Sequence, residues 1–188
     1  MTRTPTQPAQ RVRYAGDAPR SVSDANGDGS ERRDAPLHIV LVEPQIPPNT
    51  GNVARLCAAT GCRLHLVEPL GFSLADRELK RAGLDYWDAL EVVLHRSLAD
   101  FTQTWHAPLW LFSTRATRAY RDASYARGDG LVFGKETTGL PQALLDAMPD
   151  RGLRIPMRAD TVRSLNLSTC VGIATYAALA TLGFPGLD

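Results

Sequence analysis

From Leu37 onward the chain alternates short, nearly unbroken apolar runs with longer stretches of mixed pattern. Leu37–Val42 is such a run, as expected of a strand whose sheet is covered on both faces. Cys62–Val67 predicts a second strand and Glu91–Leu94 a weaker one. Leu109–Ser113, Leu131–Phe133 and a short Leu153–Ile155 follow. Pro44, Pro47 and Pro48 predict a stiff loop, with Asn49 or Thr50 capping a helix that runs to about Thr60. Further helices are expected near Ala75–Ala82, which is charged, over Leu98–Trp105, and over Leu167–Leu182, which is long and apolar. Strands alternating with helices indicate an α/β fold with a mostly parallel sheet flanked by helices.

The region before Leu37 reads differently. Residues 1–36 are rich in Pro, Gly, Ser, Asp and Arg and hold few large aliphatic side chains. Such a segment buries too little apolar surface to offset its ordering entropy, so a disordered N-terminal extension is expected, with one domain over 37–188. Asp24-Ala25-Asn26-Gly27-Asp28-Gly29 matches the first half of a calcium loop, but the twelfth position, where a bidentate Glu belongs, is Ala35. A turn is the expected reading there.

Composition changes the picture at three points. The chain has 188 residues, 44% of them hydrophobic and 22% charged, which suits one domain with a proper core. Its net charge of +1 conceals an extension with six Arg against five acids, and a body in which fifteen basic and fifteen acidic residues balance. Bulk polyelectrolyte attraction to nucleic acid is therefore excluded, and any RNA contact must be local. Cys57, Cys62 and Cys170 form neither a CxxC motif nor a disulfide framework, so buried thiols in a reducing compartment are expected. With no secretory pattern and no run of about 18 apolar residues, the expected location is cytosolic.

Chemistry gathers after the late strands. Leu131–Phe133 runs into Gly134-Lys135-Glu136-Thr137-Thr138-Gly139-Leu140-Pro141, and Leu153–Ile155 into a segment containing Arg163-Ser164-Leu165-Asn166-Leu167-Ser168. Turns beyond the carboxyl ends of parallel strands are where open sheets bind ligands. No GxGxxG follows a strand, and GxxxxGK[ST] and GxSxG are both missing, which argues against dinucleotide enzymes, P-loop NTPases and serine hydrolases. His38, His65, His95 and His106 lack ligand spacing in sequence, so no metal site is expected.

The segments HIVLVEPQIPPNTGNVAR, FGKETTGLP, RIPM and RSLNLS, taken in order, resemble the SPOUT methyltransferases. Within that superfamily they are most similar to the small tRNA 2′-O-methyltransferases that modify the wobble nucleotide. The resemblance spans residues 37–185 and implies S-adenosyl-L-methionine as methyl donor, tRNA as substrate, a homodimer, and a C-terminal trefoil knot. The knot is not derivable from periodicity, since general topology rules make knots nearly absent. By the same resemblance Phe112, Gly134, Ile155, Ser164 and Leu165 should hold the cofactor, mainly through backbone groups. A glycine at position 134 suits a backbone approached closely by a ligand.

Arg55 matches the family's catalytic arginine. Guanidinium hardly ever deprotonates, so positioning an RNA phosphate and stabilising a developing alkoxide is the expected role, rather than general base. Asn166 and Ser168, the further catalytic candidates beside Arg55, open the last helix, where they can cap it or face the ligand. Tyr176 occupies a position that the family uses near RNA, and a core role is the alternative. Glu136 is expected to shape its own loop by hydrogen bonding. After Leu109–Ser113, Arg115, Arg118 and Arg121 are interleaved with Tyr120 and Tyr125. Arg115 and Arg118 are the candidates for phosphate contact, with Tyr available for stacking.

Two departures from the family pattern stand out: Lys135 and Thr138 occupy variable positions where other members often carry Pro and Arg, and the link between Met157 and Arg163 is one residue longer than usual. The last helix is apolar nearly all round, which calls for burial on more than one side and suits a symmetric dimer. The expected activity is metal-independent ribose 2′-O-methylation of the tRNA wobble nucleotide. The alternatives are another tRNA or rRNA ribose, a knotted RNA-binding protein without catalysis, or a nucleotide-dependent α/β enzyme.

Overall fold

A computed structural model describes residues 12–15, 35–74, 90–158 and 160–188. The expected helix at 75–82 and the calcium-like turn at 24–29 lie outside the described residues. Seven strands form one parallel sheet: β1 (Val12–Tyr14), β2 (His38–Val42), β3 (Arg63–Val67), β4 (Val92–His95), β5 (Leu109–Phe112), β6 (Gly130–Phe133) and β7 (Gly152–Leu153). Their order across the sheet is β1-β4-β3-β2-β6-β5-β7. The helices are α1 (Pro47–Thr60), α2 (Leu98–Thr104), α3 (Gln142–Ala147) and α4 (Leu167–Thr181).

Alternation along each strand feeds two cores. Ile39, Leu41, Leu64, Leu66 and Leu131 face α1 and α4, where Val53, Cys57, Val171 and Ala178 meet them. Val40, Val42, Val67, Leu111 and Val132 face the other way, against Phe101 and Trp105 at α2 and Leu144 of α3. Both faces are thus covered, which is why these strands read as continuous apolar runs. Burial holds the Cys57 thiol well above its ordinary range, with the neighbouring Cys62 adding to the effect.

Three local outcomes differ from the sequence reading. The first is the start of α1, whose N-cap is Ile46, with Pro47 and Pro48 inside the first turn. Proline lacks the N–H that a first turn leaves unpaired, and its φ is already helical. Asn49 is therefore not needed as a cap. The second is Val12–Tyr14, within the extension, which pairs in parallel with Val92–Leu94. The third is α3, a six-residue helix that no period in the sequence announced.

Histidines scattered in sequence also meet here. The pairing registers set His38 opposite Arg63 and His95 opposite Val67, so His38, His65 and His95 step diagonally along one face. Their ring nitrogens lie 2.9 Å and 3.0 Å apart in a buried hydrogen-bonded row. Trp105 packs edge-on against His38 and His65, and Phe101 against His95. At these separations a proton, rather than a shared ion, joins each pair of nitrogens. Each neutral imidazole supplies one donor and one acceptor, so two hydrogen bonds join the three rings and take up all but one ring nitrogen at each end of the row.

Candidate functional site

A cavity of about 680 Å³ opens at the carboxyl ends of β5, β6 and β7. Phe112 and Phe133, last residues of β5 and β6, stack with ring centroids 4.6 Å apart and form its apolar floor. Three turns build the walls. Gly134–Leu140 follows β6, Ile155 and Met157 follow β7, and Arg163–Leu167 lead into α4. All five residues expected to hold the cofactor, Phe112, Gly134, Ile155, Ser164 and Leu165, line this one space, as do Arg115 and Asn166.

The reason for glycine at 134 differs from the expected one. A Cβ there would lie 2.0 Å from the Gly139 carbonyl carbon and 2.2 Å from the Leu140 nitrogen. Lys135 and Gly139 form an antiparallel bridge, with the Gly139 N–H donating to the Lys135 carbonyl at 2.9 Å. The loop thus folds back over residue 134, and the absent side chain admits its own backbone rather than a ligand. Gly139 has φ +72°, which glycine adopts without strain.

A polar chain ties the walls together. The Glu136 carboxylate accepts from the Gln45 N–H (2.9 Å), the Ile46 N–H (3.2 Å) and Asn49 Nδ2 (2.9 Å). It therefore caps α1 from another segment, at the helix end where a negative charge is favoured. Asn49 is 5% exposed, and its Oδ1 accepts from Asn166 Nδ2 at 2.9 Å. Asn166 Oδ1 in turn caps α4, accepting from the N–H of Ser168 (2.9 Å) and of Thr169 (3.3 Å). Asn166 both caps and lines the cavity, whereas the Ser168 hydroxyl is bound to Asn166 Oδ1 (2.7 Å) and Ser168 is not part of the lining. Lys135 pairs with Glu43, fastening the same loop to the segment after β2.

The remaining expected residues separate. Arg55 is exposed on α1 and does not line the cavity. Arg115 is exposed at the rim, where its guanidinium donates to Gln142 of α3. Arg118 lies over the Trp110 ring, 5.3 Å from its centroid, and donates to the Asp122 carbonyl, so it shapes its own loop. Tyr125 is buried with its hydroxyl on the Tyr120 carbonyl, and burial raises its pKa above the ordinary tyrosine range. The aromatics of this loop pack inward rather than standing ready to stack on a base. Tyr176 is 48% exposed on α4. Sequence reasoning missed Asn49 and the rim residues Lys135 and Arg163, since its only signal for Asn49 pointed to a helix cap.

A shaped cavity with an apolar floor, backbone-rich walls and basic residues at its mouth suits a small ligand with an aromatic part, beside an anionic partner. The comparisons agree with this geometry. The model of the SpoU rRNA Methylase family matches residues 36–176. A tRNA (cytidine(34)-2′-O)-methyltransferase of Yersinia pestis is 48% identical over 157 residues, covering 80% of this chain and 96% of its own. A solved structure concerned with 2-OH methylation of C/U34 on tRNA is 46% identical, with TM-score 0.74, and the match covers 78% of this chain and 96% of that one. The AdoMet-bound rRNA methyltransferase of Sinorhizobium meliloti shares the fold, with TM-score 0.71 at 24% identity, over 80% of this chain and 60% of its own.

Proposed function

The chain belongs to the SpoU rRNA Methylase family, and on that premise we propose that it methylates the ribose 2′-hydroxyl of nucleotide 34 in tRNA, with S-adenosylmethionine as donor. The observation that carries the reading is the convergence of three turns and three strand ends on one cavity of about 680 Å³. Its fit to the donor rests on the stacked Phe112–Phe133 floor for an adenine and on the backbone of residues 134–140 for polar groups. The trefoil knot is part of the same reading. It is supported by α4 packing back against β6 and the Tyr120–Asp122 turn.

When bound, the donor supplies a methyl group activated by a sulfonium. Phe112, Phe133 and Leu153 keep water from the floor, while the Glu136–Asn49–Asn166 chain holds the walls in register. Alignment is the main source of rate in such a displacement. Arg115 and Arg163 at the mouth receive RNA phosphate, and Tyr176 extends that surface along α4. Arg55 presents its fork to a phosphate and steadies the alkoxide as the 2′-hydroxyl proton leaves to water. Because Arg55 lies outside its own chain's cavity, a homodimer that brings it over the partner's cavity completes the site. The open side of Gly172 and the apolar, uncharged character of α4 support that helix as part of the contact. Among the described residues no helix is long and apolar enough to cross a membrane, and the proposed location is the cytoplasm.

The test is nucleoside mass spectrometry on tRNA incubated with the protein and S-adenosylmethionine. A 2′-O-methyl nucleoside confined to position 34 is expected; methylation of a base, or of no tRNA at all, would overturn the reading.

A further inference from the structure

The carboxyl edge of the sheet holds a second recess, away from the cavity, where β3 and β4 end. It has a volume of about 560 Å³, with Glu68, Leu70, Phe72 and Arg96 in its wall. β1 stands directly behind it. Tyr14, the last residue of β1, donates its hydroxyl to Glu68 at 3.4 Å, and the Arg96 guanidinium lies 5.4 Å from the centroid of its ring. The strand is firmly seated. The Ala15 N–H donates to the Leu94 carbonyl at 2.8 Å, and Glu91 bridges Arg13 (2.5 Å) and Arg63 (3.0 Å). A piece of the extension, outside the family match at 36–176, thus sets two wall residues of this recess.

The segments that carry the recess wall and the cavity wall are tied together. The Gly71 N–H donates to the Pro44 carbonyl at 2.9 Å, and a Cβ on Gly71 would meet Gln45 Cα at 2.7 Å. The Gln45 side chain accepts from the Thr137 hydroxyl at 2.8 Å, at the cavity wall. The ends of β4 and β6 are three strand spacings apart, on the order of 14 Å, a span that a short run of unpaired RNA covers.

We propose that this recess holds an unpaired base near the target nucleotide, with Arg96 on its phosphate, Phe72 against its face and Glu68 accepting from its exocyclic amine. The inference rests on the tRNA reading above. RNA loops are recognised through this chemistry, by stacking on aromatic or guanidinium planes and hydrogen bonding to splayed base edges. Tyr14 is a positioning residue, acting through Arg96 and Glu68. The β1 piece of the extension therefore serves RNA selection.

Steady-state kinetics with tRNA, together with donor affinity by calorimetry, tests it in the full chain. Arg96→Ala should raise KM for tRNA about tenfold, and should flatten the dependence of log affinity on log salt by about 0.7. Tyr14→Ala should raise KM in the same direction, and donor affinity should stay at the wild-type value in both. Glu68→Gln should weaken the preference for a base bearing an amine over uridine at the nucleotides flanking the target. If the wild type methylates tRNA and these variants keep its KM, salt slope and base preference, the inference falls; if the wild type methylates no tRNA, the functional reading falls instead.

Discussion

Replacing Asn49 with Asp puts the polar chain between the site walls under direct strain. The side chain keeps its shape and its acceptor for Asn166, but the atom that donated to Glu136 Oε1 at 2.9 Å becomes a carboxylate oxygen. Two unit charges at that separation repel by about 6 kcal/mol at an effective dielectric of about 20. Protonating one carboxyl at pH 7 costs less, about 4 kcal/mol from an ordinary value near 4.3. The pair therefore keeps a proton, and the O–H···O bond it forms returns about 1 kcal/mol. The net loss at neutral pH is about 3 kcal/mol, or roughly 6–12 °C in Tm for a domain of this size. The folded variant then holds one proton that the unfolded chain releases above about pH 4.3, so its stability relative to wild type rises as pH falls. The gain is about 1.4 kcal/mol per unit, and most of the deficit disappears by pH 5. Asn49→Ala, in contrast, removes both hydrogen bonds and should cost about 2–3 kcal/mol at either pH. Urea unfolding of wild type and both variants at pH 5, 6 and 7 reads these differences directly. Equal, pH-independent losses for Asp and Ala would refute the claim that Asn49 bonds Glu136.

Gly134→Ala places a methyl 2.0 Å from the Gly139 carbonyl carbon, so the loop must open. Donor binding measured by calorimetry should be lost, with a clear fall in Tm; an unchanged dissociation constant would show that the loop yields cheaply. Alkaline stability provides a separate check. Burial raises the Tyr125 hydroxyl and the Cys57 thiol above their ordinary ranges, so the unfolded chain releases these protons first. Their contribution is complete below about pH 8.5 for the thiol and about pH 10 for the phenol, and is lost as pH rises further. Urea midpoints should fall across that interval, and Cys57→Ala should lessen the earlier part of the fall, with the remainder coming from the Cys62 and Cys170 thiols that burial also raises.

The fold class was legible because apolar runs of strand length alternate with helical periods. β2, β3, β5 and β6 lie within a residue or two of where the pattern puts them. β7 is shorter than expected, at Gly152–Leu153, because beyond it the backbone serves the cavity wall and pairs only through the Ala119–Arg154 bridge. That Phe112, Gly134, Ile155, Ser164 and Leu165 share one cavity was reachable only through resemblance, since a turn rich in Gly and Thr has no spacing that identifies its ligand. The placement of Arg118 was not legible, because a run of Arg and Tyr looks the same whether it faces solvent or stacks on Trp110. Asn49 was legible as polar and near a helix start, but its partners Glu136 and Asn166 are 87 and 117 residues away.

What the sequence determined by itself was periodic: which segments become strands and helices, which faces are apolar, and that turns suited to a ligand follow the late strands. These follow from local backbone and burial preferences, which neighbouring residues encode. What tertiary structure alone decided was register and approach. Register brings His38, His65 and His95 into one hydrogen-bonded row and seats Tyr14 behind Arg96. Approach makes Gly134 obligatory, because a backbone five residues further on crosses over it. Such contacts depend on how strands slide and loops fold back in three dimensions, and no local pattern carries that information.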